Sequence, residues 1–439
     1  MISREPTIHV GIADHLHNVE GVFNGQFLVN SQVLGGIFHT AIEGNTIVLT
    51  DERGCKVQGG EISCVVQGSS TFNLHDISIG IGFHWERKEN QIFQGNLLFK
   101  PRNDGTFAVV NEISIEQYLT SVIASEMRAE SPLEFLKAHA IISRSWIVAM
   151  REREKHVFTE PPRETQPTDE IIRWYDREDH DLYDVCADDH CQRYQGVTKI
   201  ISPAVTEAVA STRGQFLVHD NQICDARFSK CCGGLTEQFE SCWDDVSVQY
   251  LTSVSDSPLS HTPIKDEESA ADWICSNPGV YCNTTDSALL HAVLPSFDLE
   301  TKDFFRWKVE YDRRELEGIL QNKSGHDFGT LMNLVPVRRG PSGRIVKLRI
   351  EGTKKTITVG KELEIRRWLS KSHLYSSAFI VDVERNTAGV PQRFVLHGAG
   401  WGHGVGLCEI GAAVVASEGK QADEILKHYF RGVELRKLY

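Results

Sequence analysis

NEISIEQYLTSVIASEMRAESPLEFLKAHAIISRSWIVAM, residues 111–150, carries the end of a strand into two consecutive helices, and the rest of the chain is placed around it. The apolar run FAVVNEI (107–113) supplies the strand. Ser114 followed three residues later by Gln117 is a capping box, and Ile115, Leu119, Val122 and Ile123 give the first helix one apolar face to about Met127. Ser131-Pro132-Leu133-Glu134 then predicts a second start, with Ser131 at the N-cap, Pro132 in the first turn and Glu134 reaching back. Leu136, Ala140, Ser143 and Ile147 carry this helix toward Met150.

On the N-terminal side the pattern is β. IHVGI, GQFLVN, NTIVLT, EISCVV and NLLFK are short apolar or alternating runs separated by Gly, Asn and Asp. On the C-terminal side, residues 151–196 are polar and acidic and are expected to form one long loop. VTEAVASTRGQFLVHDNQICDARFS predicts a helix and a hairpin, RWKVEYD, LVPVRR, IVKLRIEG, KTITVG and AFIVDVE predict strands, and ADEILKHYF predicts a closing helix. The fold class expected is α+β. It divides into a β-rich domain over 1–105 and a mixed domain over 106–439, with a β-rich insertion at about 261–383.

Bulk properties exclude several functions. The 439 residues are 41% apolar and 24% charged, the balance of a globular protein with a large core. A net charge of 46 − 60 = −14 argues against a broad nucleic-acid surface. No run approaches the ~20 apolar residues of a membrane span. The start, MISREPTIHVGI, lacks the apolar h-region of a signal peptide. Eleven cysteines, an odd number, argue against a full disulfide framework and leave metal ligands or free thiols open.

Four blocks give the chain a family likeness. The first is the helical pair, with Glu116-x-Tyr118-Leu119, Ser125-Glu126-Met127, Leu136-Lys137-Ala138 and Arg144-Ser145-Trp146. The second is FSKCCGGLT (228–236), extended by Trp243 and by YLTSV (250–254). The third is RGPSGR (339–344), and the fourth is the tail HGAGWGHGVGLCEIG (397–411), where glycine alternates with larger residues. Together these resemble the family of the stage II sporulation protein D and the LytB amidase enhancer, in the family's own order and over nearly the whole chain. The resemblance implies a lytic transglycosylase, a lyase that cuts peptidoglycan between N-acetylmuramic acid and N-acetylglucosamine on peptide-stripped strands. The LytB branch implies the alternative, a non-catalytic amidase enhancer or wall-binding protein with a cell-wall amidase as partner. It also implies a cell-envelope or periplasmic location, whereas the missing signal peptide fits a cytoplasmic one.

Within that likeness Glu126 is the expected general acid and base. At the C-terminal end of its helix the macrodipole disfavours a carboxylate and raises its pKa, as protonation of a glycosidic oxygen requires. Its plain alternative is a solvated helix-end Glu. The sugar's own 6-hydroxyl closes a 1,6-anhydro ring, so a second carboxylate is not obligatory. Lys137 and Arg144, seven apart on one side of the second helix, are expected to face Glu126 and hold substrate, against the alternative that both reach solvent. His139 stands where the family commonly has Gln. Cys232, Gly233, Gly234 and Thr236 are expected to line the sugar site, or else to form a turn with a buried Cys, and a nucleophilic Cys is disfavoured because the block holds no base. His403 is preferred over His397 because flanking glycines would bring backbone close to substrate. Trp146, Trp243 and Trp401 are stacking candidates or core, and Tyr429 frames the cleft or packs in the core.

His180, Cys186, His190 and Cys191 form a candidate tetrahedral zinc set, which some family members carry in a similar loop. The spacing H-x5-C-x3-H-C is not that of a standard finger, and a Cys186–Cys191 disulfide or two free thiols is the competing reading. A zinc there is expected to order the loop around the cleft, since the proposed cleavage needs no metal-activated water. A zinc hydrolase built on this loop is the further rival.

Overall fold

The computed structural model describes residues 2–44, 46–81, 86–154, 164–165, 169–173, 180–262, 264–296, 298–299 and 303–439. The alternation of the first hundred residues forms most of a ten-stranded sheet. Its main path runs, in spatial order, Val185–Cys186, Thr7–Leu16, Phe107–Ser114, Asn96–Pro101, Ile62–Ile79, Asn18–Val29, Gln32–Glu43, Thr46–Asp51 and Lys56–Gly59. Every pairing is antiparallel except that of Val185–Cys186 against Val10 and Gly11. Inward residues at period two bring Phe23, Phe27, Phe38, Phe72, Phe93 and Phe99 into one buried aromatic layer, with Phe23 and Phe38 stacked at 4.3 Å.

Strand Phe107–Ser114 leads directly into helix α1 (Ile115–Glu126), and Ser114 Oγ caps it by accepting the Gln117 N–H. Helix α2 (Leu133–Glu154) begins differently from the expected box. Ser131 Oγ has no hydrogen-bond partner among the described residues, and Glu134 instead accepts from Lys137 Nζ at 2.7 Å and from the Ala422 N–H at 3.0 Å. Both helices, the large sheet and the closing helix Ala422–Tyr429 contribute to one hydrophobic core.

The expected strands over 306–385 are all present, and with Pro391–Ala399 they build a second core around Trp307, Leu348 and Trp368. Helices Arg313–Ser324, Glu362–Trp368 and Glu409–Ser417 were not foreseen. The expected long loop over 151–196 needs correction. α2 continues to Glu154, Glu170–Arg173 joins a five-stranded sheet through parallel pairing with Thr356–Gly360, and Glu164–Thr165 pairs antiparallel on its outer side. A sheet edge far along the chain satisfies their backbone, which local composition does not reveal.

Arg144 ties the helical pair together. Its guanidinium is fully buried and makes a bidentate pair with Glu116, Nε to Oε1 at 3.0 Å and Nη2 to Oε2 at 2.7 Å, while Nη1 donates to the Gln215 carbonyl at 3.1 Å. Glu116 also accepts the Gly214 N–H at 3.2 Å and the Tyr439 hydroxyl at 2.6 Å. One ion pair thus joins α1, α2, the hairpin and the C-terminus. Removing one member strands the other charge in the interior, so Arg144→Ala or Glu116→Ala is expected to lower unfolding free energy by about 3–5 kcal/mol, measured by chemical denaturation. Arg144→Lys, which loses the fork, should recover only part of it. A loss below about 1 kcal/mol, the scale of a surface pair, would contradict this role.

Candidate active site

Glu126 closes α1, and its side chain is 11% exposed. Its Oε1 accepts the Arg193 N–H at 2.9 Å, and the Arg193 Nε lies 3.8 Å from Oε2. Burial drives the carboxyl above the ordinary Glu value of 4.5; the Arg193 cation opposes this, and the charges of Glu409 and Asp189 add to it. The carboxyl is raised, as expected at position 126, but the leading cause is desolvation and not the helix end on which the expectation rested.

A buried polar cluster adjoins this carboxyl. Lys230 Nζ donates to the Glu126 carbonyl oxygen at 3.1 Å, and it lies 3.2 Å from Asp298 Oδ2 and 3.8 Å from Glu409 Oε2. His139 Nε2 is 3.1 Å from Glu409 Oε1. Arg193 Nε donates to Asp189 Oδ1 at 2.6 Å. The hydroxyl of Ser229, next to Lys230, is buried and has no hydrogen-bond partner among the described residues.

The expected substrate-binding residues divide. His139 joins the cluster through Glu409. Lys137 and Arg144 do not face Glu126: Lys137 is committed to Glu134, and Arg144 is bound to Glu116 at the opposite end of α1, about 15 Å away at 1.5 Å per residue. Seven-residue spacing gives a shared side of the helix but not the partner it meets. Thr236 Oγ1 accepts the Val254 N–H at 2.7 Å and is structural. Cys232, Gly233 and Gly234 lie in a buried thiol cluster with Cys282 and Cys408.

The tail glycines also act differently from expectation. Gly400, Gly402, Gly404 and Gly406 have positive φ, and the backbone approach they permit is to protein. A Cβ on Gly404 would collide with the Arg344 guanidinium, which donates from Nη2 to the Gly402 carbonyl at 3.0 Å and from Nη1 to the Cys232 carbonyl at 3.1 Å. His403 packs edge-on against Trp243 at 4.8 Å and accepts the Val405 N–H on Nδ1 at 3.0 Å. Burial, with Arg227 and Arg344 nearby, keeps its ring neutral. His397 stands apart from it, 3.3 Å from Asp382. Trp146 is core, Trp401 stacks on Tyr375 at 4.2 Å, and Tyr429 is buried with its hydroxyl on Asp256. A polar cavity of 380 Å³ opens elsewhere, between Gln238, Glu240, Asp245 and Arg338.

His180, Cys186, His190 and Cys191 do converge. Their donor atoms lie within 4.8 Å of one another, with His180 Nε2 and His190 Nδ1 at 3.3 and 3.4 Å from Cys191 Sγ, and they could hold a metal ion. All four lie within residues 180–191, with Cys186 on the short strand Val185–Cys186 and the other three in the loop around it, and neither thiol is in a disulfide among the described residues. The loop then grips α1: Tyr118 donates its hydroxyl to Gln192 Oε1 at 3.0 Å, the Gln195 N–H donates to Ser121 Oγ at 3.2 Å, and the Arg193 N–H reaches Glu126.

Residues 103–219 match the family profile described as Stage II sporulation protein. The chain carries a stage II sporulation protein domain. That domain holds both site helices, Glu126 and the His/Cys loop. Residues 237–406 match a domain of unknown function, DUF8618. The chain is 27% identical over 329 residues to the stage II sporulation protein D of Bacillus subtilis, an alignment covering 74% of this chain and 75% of that one. It is 28% identical over 344 residues to an uncharacterized protein of Brachyspira hyodysenteriae, covering 78% and 72%. The amidase enhancer of B. subtilis is 24% identical over 240 residues, covering 52% of this chain and 32% of that protein. Lys230 and Glu409 fall outside both profiles. Both lie within the blocks FSKCCGGLT and HGAGWGHGVGLCEIG, whereas no local pattern marks Arg193 or Asp298, which tertiary contact alone brings to Glu126 and Lys230 respectively.

A raised Glu126 pKa has a sign that can be tested. The folded state holds this proton more tightly than the unfolded state, so the contribution is full below the unfolded value of 4.5 and is lost as pH rises through the folded value. Glu126→Gln removes that titration. The stability of the variant relative to wild type should therefore climb as pH rises above 4.5 in chemical denaturation. A difference that stays flat would mean that this carboxyl titrates as an ordinary Glu.

Proposed function

We propose that this chain acts on the cell wall as a peptidoglycan lytic transglycosylase, with Glu126 as general acid and then general base. The observation that carries the reading is a nearly buried carboxyl, raised in pKa, at the meeting of α1, the His/Cys loop and the 230 and 409 segments. In its protonated form Glu126 would give its proton to the oxygen between N-acetylmuramic acid and N-acetylglucosamine as that bond breaks. The carboxylate so formed would take the proton from the 6-hydroxyl as its oxygen bonds to the anomeric carbon. No water enters, and Glu126 ends protonated for the next turnover. Arg193 is placed to stabilise the transient carboxylate, while Lys230 holds the Glu126 backbone carbonyl. The residual exposure of Glu126 is the route by which a glycan oxygen would reach it.

The His/Cys loop fits zinc. Three of its donor separations, at 3.3, 3.4 and 3.8 Å, match the edges of a tetrahedron with metal–ligand bonds of about 2.0–2.3 Å, and all lie within 4.8 Å. Zinc would supply folding free energy to the loop that carries Arg193. His180, Cys186, His190 and Cys191 would hold it, with no step routed through it.

A second reading is that the chain enhances an amidase, as the name of one relative states of that protein. The polar cavity within the DUF8618 region, away from Glu126, favours a binding role of this kind.

Peptide-free glycan strands separate the two readings. Wild type is expected to yield products with 1,6-anhydro ends, lighter by one water than hydrolysis products, and Glu126→Gln should lose about 10²–10⁴-fold in rate. No anhydro ends from wild type, together with a faster partner amidase, would overturn the lytic reading. Stripping metal from the loop should slow turnover and lower Tm while the products stay anhydro. Products that gain water and vanish on chelation would point to a zinc hydrolase instead.

A further inference from the structure

The thiol cluster behind Lys230 and Glu409 is a second convergence of metal-ligand residues. Cys232, Asp256, Cys282 and Cys408 are all buried, and their donor atoms lie within 4.8 Å of one another. They come from four separate segments, so no sequence spacing announces them. We propose that these four residues form a structural metal centre for one soft divalent ion, with zinc the best match, distinct from the His/Cys loop.

Several observations carry this. Cys232 Sγ and Cys282 Sγ are 3.8 Å apart, too far for a disulfide and equal to the edge of a tetrahedron with metal–sulfur bonds of about 2.3 Å. Backbone N–H groups already point at the sulfurs: Cys232 donates to Cys408 Sγ at 3.2 Å, and Gly234 donates to Cys232 Sγ at 3.3 Å. Such donors favour thiolates over thiols and are the outer support of sulfur-rich metal sites. Positive φ at Gly233 and Gly234 bends the chain so that these amides face inward. Asp256 is oriented by the Tyr429 hydroxyl at 2.5 Å and the Cys282 N–H at 2.7 Å. Without a cation, a buried carboxylate beside three thiols is costly. Arg306 Nη1, on the Gly233 carbonyl at 3.1 Å, and Arg344, on the Cys232 carbonyl, are placed to offset the net negative charge of a three-thiolate, one-carboxylate site. The compactness of the set favours a single ion, because an iron–sulfur cluster spreads its thiolates around inorganic sulfides.

The centre has a structural consequence. Cys408 precedes Glu409, and Cys232 follows Lys230 by two residues, so one ion would pin both segments that carry charges to Glu126. Each ligand must lose or lack a proton to bind, so loading couples to folding.

The test is metal content, read without any substrate and so independent of the lytic reading. Wild-type protein purified in zinc should carry about two ions per chain, and Cys186→Ser/Cys191→Ser should keep about one. Cobalt loaded into that double variant should give intense thiolate-to-metal absorption and tetrahedral d–d bands. Adding Cys408→Ser should weaken the charge-transfer band by about a third, and Asp256→Asn should leave that band while raising metal loss to a chelator. If the Cys408→Ser chain does not fold, wild-type stoichiometry and the cobalt spectrum of the double variant decide. A folded double variant without metal or cobalt bands, or an intact mass two hydrogens light from a Cys232–Cys282 disulfide, would overturn the proposal.

Discussion

A carboxylate removed from water needs either a proton or a partner, and the arrangement around Glu126 supplies a measured amount of both. The Arg193 N–H and guanidinium hold the ionised form, while burial and the charges of Glu409 and Asp189 oppose it. Burial outweighs the Arg193 cation, so the balance favours the protonated carboxyl, the form that the proposed general acid would need. Everything else near the site can be understood as keeping Arg193, Lys230 and Glu409 at their distances from this one side chain.

Three devices serve that end. The Arg144–Glu116 pair fixes α1 against α2 at the end remote from Glu126. The His/Cys loop presses Gln192, Arg193 and Gln195 onto α1, so an ion in that loop would act on Glu126 through the backbone N–H of Arg193. The buried thiol cluster joins the Cys232 segment to Cys408 from behind. Two candidate metal sets thus flank the carboxyl, one through each neighbouring segment. A small cluster of opposed charges in a low-dielectric interior is costly to hold in place, and covalent-strength metal ligation is well suited to holding it.

Arg344 shows how a motif can be legible and its purpose hidden. The alternating glycines of the tail were evident from residues 397–411, and their need for positive φ is real. They fold tightly around a buried guanidinium that bridges Gly402 and Cys232. A glycine run reports only that something approaches closely. Whether that is a ligand or an arginine from the 339–344 turn depends on segments nearly sixty residues apart.

By itself the sequence determined the α+β class, the strands of the first hundred residues, the Ser114 cap and the burial of the α1 face, and it offered His180, Cys186, His190 and Cys191 as one candidate set among other readings. Each of these rests on local periodicity, local capping or short spacing, which act between residues a few positions apart. Tertiary structure alone decided that Arg144 meets Glu116, that Lys137 turns to Glu134, that Lys230 and Glu409 surround Glu126, and that Cys232, Asp256, Cys282 and Cys408 meet. The physical reason is common to all four. Which partner a buried charge or thiol finds is set by the packing of distant segments into one dense core, and a linear pattern states the need for a partner without stating its identity.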